Sequence, residues 1–284
     1  MHTRGYDLEI GSPTARRRRT CNRWLADYPV ERTILAVTIV SVSVLAIMGL
    51  LSPREPSFVD AATVEEFALA HQTYGNLKNL VIVAGHAVYI GTDFTKADDM
   101  DSWFLEDYQR IPGQVESFIE HISQGVEAAA KDPSALLLFS GGETRHLAGP
   151  LSEGASYWFV ANGLNWFGHP NVRQRSLTEA HARDSFENLI FSICRFYELT
   201  GHFPENITVV GYEFKRERFV DYHRAAIAFP AERLKYIGTA APNPTTASTG
   251  EMKTLSAFQR DPFGCQASSL PRFQWALPPH SWRV

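Results

Sequence analysis

Apolar residues fall along this chain in three kinds of run, and each kind predicts a different element. Short unbroken runs come first: Leu80-Val-Ile-Val-Ala84, Ala135-Leu-Leu-Leu-Phe139 and Ile207-Thr-Val-Val210. Bounded by turn formers, they read as strands covered on both faces, the usual condition of a parallel sheet. Val172 to Leu177 and Leu234 to Ile237 offer two more strands. Between these runs apolar residues recur at helical spacing. Gln114 to Lys131 carries a stripe of Val115, Phe118, Ile119, Ile122 and Val126, and the stretch from about Ala180 to Leu199 carries Phe186, Leu189, Ile190, Ile193 and Phe196. Helices over Ser152 to Leu164, capped by Ser152, and over Lys215 to Phe229, stopped by Pro230, complete the alternation. Thr63 to Gln72 reads as a short helix with Thr63 and Glu66 in capping-box spacing. Alternating strands and helices imply right-handed crossovers and an α/β, Rossmann-like, doubly wound fold, with a mainly parallel sheet of about five strands over residues 80–240.

The third kind of run is Thr33 to Leu51, which contains no charged residue. At ~1.5 Å per residue its roughly 19 residues reach about 28 Å, close to the hydrocarbon thickness of a bilayer. It reads as an N-terminal transmembrane helix. The basic tail before it, residues 1–32 with Arg16 to Arg19 in a row, places the amino end in the cytoplasm and the rest across the membrane. The expectation is a single-pass type II signal anchor, with the α/β domain in the lumen of the endoplasmic reticulum or Golgi. Two other readings compete: a cleaved signal peptide, and a buried helix of a cytoplasmic protein. Residues 52–79 form the linker and short helix. Asn206-Ile207-Thr208 is a glycosylation sequon, usable only in a secretory lumen. The Pro- and Thr-rich run Ala240 to Thr249 is expected to close the domain, and residues 241–284, rich in aromatics and prolines, to lie over it as a C-terminal strap.

Composition narrows the function classes without naming one. With 284 residues and 44% hydrophobic content, one sizeable core plus appendages is possible. A net charge of -4 and no basic stripe with interleaved aromatics in the second half argue against nucleic acid as a partner. The three cysteines have neither metal-ligand spacing nor the even count of a disulfide framework, and Cys194, inside a helical pattern, reads as a buried small hydrophobe. No Walker A, G-x-G-x-x-G or G-x-S-x-G pattern is present, and no cofactor is named by the spacing.

The candidate chemistry lies where the predicted strands end, since open α/β sheets bind ligands outside the carboxyl ends of their strands. The first strand ends in Gly85 and His86. The second delivers Ser140, Gly141, Gly142, Glu143, Thr144 and Arg145, with Glu153 opening the next helix. After the third come Glu179, Asp184, Ser185 and Asn188; after the fourth, Glu213, Lys215, Arg216 and Arg218. On this reading the amides of Gly141 and Gly142, with Arg216 and Arg218, hold a phosphate or carboxylate. Glu153 and Glu179 orient hydroxyls or serve as acid and base, and His86 carries a proton. Each has a plainer alternative: His86 as a packing histidine, Glu153 as a helix-dipole partner, Asp184 and Asn188 as one solvated helix face, the basic residues as ordinary surface. No metal is demanded by the spacing.

The order of these clusters is itself informative. Val81-Ile-Val-Ala-Gly85-His86, Leu138-Phe-Ser140-Gly141-Gly142, Ser152-Glu153, Glu179 followed by Asp184-Ser185 and Glu187-Asn188, and Val209-Val-Gly-Tyr-Glu-Phe-Lys-Arg-Glu-Arg218 resemble the successive motifs of the domain of unknown function 218 family. That family includes the YdcF-like, SanA-like and ElyC-like proteins, and the Glu-Phe-Lys-Arg signature is similar to its fungal and plant branch. The resemblance runs from about Leu80 to Thr239. It implies a Rossmann-like fold with its site at the Ser-Gly-Gly rim, and membrane-anchored relatives with envelope functions. Where bacterial members carry a histidine before the arginine of the fourth motif, this chain has Glu213-Phe214-Lys215-Arg216, so a role held by that histidine does not transfer. The function expected is binding of an anionic or nucleotide-like small molecule, with transferase or hydrolase action on envelope or glycan precursors. The rival is a non-catalytic scaffold of the endomembrane system.

Overall fold

A computed structural model describes residues 61–265. Helix α1 (Ala61–Tyr74) leads into strand β1 (Asn79–Ala84). A two-stranded antiparallel ribbon follows, β2 (Val88–Tyr89) with β3 (Trp103–Phe104), then helix α2 (Gln114–Lys131) and strand β4 (Ala135–Ser140). Helix α3 (Glu153–Gly163), strand β5 (Ser176–Glu179), helix α4 (Ser185–Thr200) and strand β6 (Asn206–Tyr212) continue the alternation. A π-helical turn, Arg218–His223, runs into the single turn α5 (Arg224–Ala226), followed by β7 (Leu234–Thr239) and α6 (Pro244–Arg260). The basic tail, the predicted span Thr33 to Leu51 and the linker as far as Asp60 lie outside the described residues, as does the chain from Gln266. Among the described residues no helix is long and apolar enough to cross a membrane.

The five long strands form one parallel sheet in the order β5-β4-β1-β6-β7. Two crossovers from β1 step toward the β5 edge; the third, through α4, returns the chain to the opposite side of β1. The strand order therefore reverses between β1 and β6, the place where a doubly wound sheet opens a crevice. Register levels the strand ends along one rim. Ala84 stands beside Ser140, and Ser140 beside Glu179, so the polar clusters leave the sheet side by side.

Alternation of side chains across each strand explains the unbroken apolar runs. Val81, Val83, Leu137 and Phe139 face α2 and α3 and pack with Phe118, Ile122, Tyr157 and Val160. Leu80, Ile82, Leu136 and Leu138 face the other way, toward Leu189, Ile193 and Phe196 of α4 and Phe219 of the π-helical turn. Local signals then fix where helices begin. Ser152 Oγ accepts from the Ala155 amide at 3.0 Å, and Asp184 Oδ1 accepts from the Phe186 and Glu187 amides, both at 2.9 Å. Each satisfies donors that a first helical turn leaves without partners.

Several boundaries differ from the sequence expectation, each for a physical reason. The third sheet strand is Ser176–Glu179, because Val172, though buried, belongs to the 3₁₀ stretch Pro170–Arg175. Helix α4 starts after its Asp184 cap rather than near Ala180. Lys215 to Phe229 is not one regular helix but a 3₁₀ turn, the π-helical turn and α5, closing through Ala228 at φ 53°. Ala240 to Thr249 is not a closing loop throughout: Asn243 caps α6 and Pro244 occupies its first turn, a position where the missing amide costs nothing. Cys194 is exposed, since it stands off the Leu189, Ile193, Phe196 stripe.

Candidate functional site

The turn after β4 is fastened to the exit of β5. The Gly141 amide donates to the Glu179 carbonyl at 3.0 Å and the Gly142 amide to the Ala182 carbonyl at 2.6 Å. These are the two amides expected to hold an anion, and both are engaged within the fold; this corrects the sequence expectation. Glu179 is engaged as well. Its Oε1 accepts from the His181 amide at 2.6 Å and the Ala182 amide at 3.0 Å, and its Oε2 accepts from Ser140 Oγ at 2.5 Å. Asn188 Nδ2 donates to the same Ser140 hydroxyl at 2.9 Å. All three side chains are buried, so Ser140, Glu179 and Asn188 form a satisfied network that sets the shape of the rim. Both oxygens of Glu179 are engaged within the fold.

Glu153 is different. It is the first residue of α3, buried, and its carboxylate lies over the strand ends. Its Cβ would stand 2.6 Å from a Cβ placed on Gly85 and 2.8 Å from one on Gly141, with Oε2 at 2.9 Å from each, so both glycines are required by the close approach of the Glu153 side chain. Thr144 Oγ1 donates to Oε1. Burial pushes the Glu153 carboxyl above its ordinary range, opposed by the Thr144 hydrogen bond and by the charges of Arg145 and Lys215.

At the strand-order reversal, His86 after β1 meets Lys215 after β6. Lys215 Nζ lies 2.7 Å from His86 Nε2, a separation that excludes an imidazolium facing an ammonium, since neither could accept. Both residues keep some exposed surface, but their polar ends are the enclosed parts. Burial, then the charges of Lys215, His121 and Arg218, hold His86 well below the usual histidine range. Burial, with Arg218 adding to it, brings Lys215 down from 10.5 to about 7, against the pull of Glu251 and Glu153. The imidazole sits among rings, 4.9 Å from Tyr212, 5.2 Å from His121 and 6.1 Å from Phe118 between centroids. Behind them Gln114 Nε2 donates to the Tyr212 hydroxyl at 2.5 Å, and His121 Nε2 lies 2.5 Å from Thr239 Oγ1.

Two further contacts close the site. Gln109 Nε2 donates to the His86 carbonyl at 2.8 Å, and Arg145 pairs with Glu106 at 2.9 Å, binding the loop after the β2–β3 ribbon to the rim. On the other side Arg218 pairs with Glu251 of α6 at 2.9 Å, with both side chains about nine-tenths buried.

Of the residues singled out in the sequence, the fold brings together Gly85, His86, Thr144, Arg145, Glu153, Lys215 and Arg218. It sets others apart. Arg216 turns outward to Glu213 at 2.6 Å and to the Tyr236 carbonyl at 3.0 Å, which takes it out of the proposed anion clamp. Glu143 is exposed. Asp184 is occupied as a helix cap, and Ser185 Oγ lies 2.8 Å from His223 Nε2 in a separate buried contact. Asn206, exposed at the start of β6, stands at the amino end of the strand, opposite the rim. Among the described residues no cluster of three or more His, Cys, Asp or Glu side chains is placed to hold a metal ion. His121, Tyr212 and Glu251 were not anticipated. His121 had a readable signal, a polar side chain three residues beyond Phe118 on the apolar side of α2; Glu251 had none.

No family model matches this chain, and no solved structure matches it. It is similar to the uncharacterized protein YOR238W of Saccharomyces cerevisiae (strain ATCC 204508 / S288c), 28% identical over 200 residues. The likeness covers 56% of this chain and 66% of the yeast protein, just under two thirds of that relative's length. A fungal relative is thereby found, and it brings no activity with it.

Proposed function

We propose that this chain binds an anionic small molecule, phosphorylated or nucleotide-like, in the crevice between β1 and β6. The observation that carries the reading is the His86–Lys215 contact across the strand-order reversal. A desolvated ammonium with a neutral imidazole against it, and a buried carboxylate, Glu153, acting on it, is a costly arrangement. It becomes favourable when an anion enters and satisfies the cations. Separated pKa values of this kind also equip a site for proton transfer, with Lys215 and Glu153 the groups placed for it. Transfer or hydrolysis of a phosphate-bearing glycan or envelope precursor fits that equipment. We assign the chain to the domain of unknown function 218 resemblance on its motif order, and its topology to a type II anchor on Thr33 to Leu51 and the arginines before it.

The second reading is a binding protein without turnover, favoured by the enclosure of Glu179 and of both glycine amides within the fold. The test is isothermal titration of the full chain in detergent with inorganic phosphate, pyrophosphate, nucleotides and sugar phosphates, beside Glu153→Gln. An enzyme retains ligand in Glu153→Gln and loses turnover; a binder shows no turnover in either protein. Failure of every anion to bind would refute both readings.

A further inference from the structure

The polar groups on the Arg218 side of the crevice are mismatched in a specific way. Glu251 reaches Arg218 through one contact, Oε2 to Nη2 at 2.9 Å. The second oxygen, Glu251 Oε1, is buried without a hydrogen-bond partner, and so is Arg218 Nε. An arginine fork facing a carboxylate ordinarily forms two parallel hydrogen bonds, Nε and Nη each to one oxygen. Here the carboxylate arrives from α6 at an angle that fills half the fork. Lys215 also faces Glu251 closely enough for each charge to favour the ionised form of the other. The charge of Glu153 also acts on Lys215, so the two cations share their enclosure with carboxylates, and Glu251 is the one supplied by α6.

We propose that Arg218 and Lys215 form a phosphate subsite, and that Glu251 of α6 occupies it in the free chain as an internal carboxylate that a phosphate-bearing ligand displaces. The proposal rests on the crevice reading above and adds to it the chemical group recognised and the residue that competes with it. A tetrahedral phosphate has the acceptors that one carboxylate lacks. It can take Nε and Nη2 of Arg218 together and still present an oxygen to Lys215.

The build of α6 permits the exchange. From Pro244 to Gly250 the helix is exposed apart from half-buried Ala247, and Glu251 is its first buried residue. The firm attachment comes later, where Phe258 is fully buried with its ring 4.4 Å from His223. The leading half, Pro-Thr-Thr-Ala-Ser-Thr-Gly, consists mostly of weak helix formers. Gly250 has nothing within 4 Å of the place a Cβ would take, so packing does not require glycine there. It serves as a point of bending next to Glu251, where a short segment can absorb a change of φ and ψ.

The test compares the full chain, Glu251→Gln and Lys215→Met in detergent, titrated with inorganic phosphate, with hydrogen exchange followed over residues 244–256. Removing the competing charge makes the phosphate affinity of Glu251→Gln at least tenfold tighter than that of the parent, because the parent must first vacate the subsite. In the parent, saturating phosphate speeds exchange in the leading half of α6, the reverse of the protection an ordinary ligand confers. Equal phosphate affinity in parent and Glu251→Gln, abolished by Lys215→Met, would overturn this proposal and leave the crevice reading standing. No phosphate binding in any of the three proteins would overturn both. Should Glu251→Gln fail to fold with Arg218 left unpaired, the exchange measurement on the parent decides alone: slower exchange over 244–256 with phosphate overturns the proposal.

Discussion

Lys215 should make the stability of this protein rise with pH over a range where most proteins are flat. An ordinary lysine holds its proton to about pH 10.4, whereas burial and Arg218 bring Lys215 down from 10.5 to about 7. Between these values the unfolded chain binds one more proton at this position than the native chain. Stability therefore increases with pH across that window, is fully present above the unfolded value, and is lost as pH falls through the folded one. At ~1.4 kcal/mol per pH unit, the fall from 10.5 to about 7 corresponds to about 5 kcal/mol as an upper limit. The assay is urea unfolding of the parent and Lys215→Met at pH 7, 8, 9 and 10. Subtracting the two profiles removes the tyrosines and other groups that titrate in both. The parent should gain on the variant by up to ~1.4 kcal/mol per unit. A flat difference would refute the reasoning, because it would mean that the ammonium is solvated and does not carry the cost of the crevice.

Other consequences can be measured independently. Gly141→Ala places a Cβ 2.8 Å from that of Glu153; it should destabilise the domain by about 1–3 kcal/mol and weaken ligand binding with it, in a denaturation curve and a titration of the same preparation. Glu179→Gln sets an amide against the His181 and Ala182 amides or the Ser140 hydroxyl, with an expected cost of about 1–3 kcal/mol; an unchanged melting temperature would contradict its role as a fastener. Leu138→Ala, at a position with no exposed surface, should cost about 2–5 kcal/mol by urea unfolding. If the domain faces a secretory lumen, glycosidase treatment should shift the parent on a gel and leave Asn206→Gln unmoved; a parent that never shifts counts against that topology.

The parts of the fold that were legible in the sequence are those where one physical demand dominates. Val81 to Val83 and Ala135 to Phe139 are apolar on both faces because helices cover both faces of the sheet. The α2 stripe and the Ser152 cap are equally local. The β2–β3 ribbon was not legible, since two-residue strands are too short to show a period. Helix α6 was hidden by its Pro- and Thr-rich start, which reads as a turn until Asn243 is seen as a cap and Pro244 as the first residue after it. In the candidate site, sequence reasoning found the rim but not the division of labour within it. Ser140, Gly141, Gly142 and Glu179 are polar residues at strand ends whether they bind a ligand or one another, and the hydrogen bonds that separate the two cases join residues some 40 positions apart, as in the Ser140–Glu179 pair. Glu251 lies in a polar segment and becomes part of the site through its ion pair with Arg218 and its nearness to Lys215, contacts no local pattern encodes.

The most direct test of an anion site between β1 and β6 is native mass spectrometry of the full chain in detergent, purified without added ligand, beside Lys215→Met. The account predicts a non-protein mass bearing phosphate or carboxylate on the parent and none on the variant, or else a bound adduct from a phosphate, sugar phosphate and nucleotide panel that only the parent retains. Identical spectra for the two proteins, with no anion held by either, would contradict it.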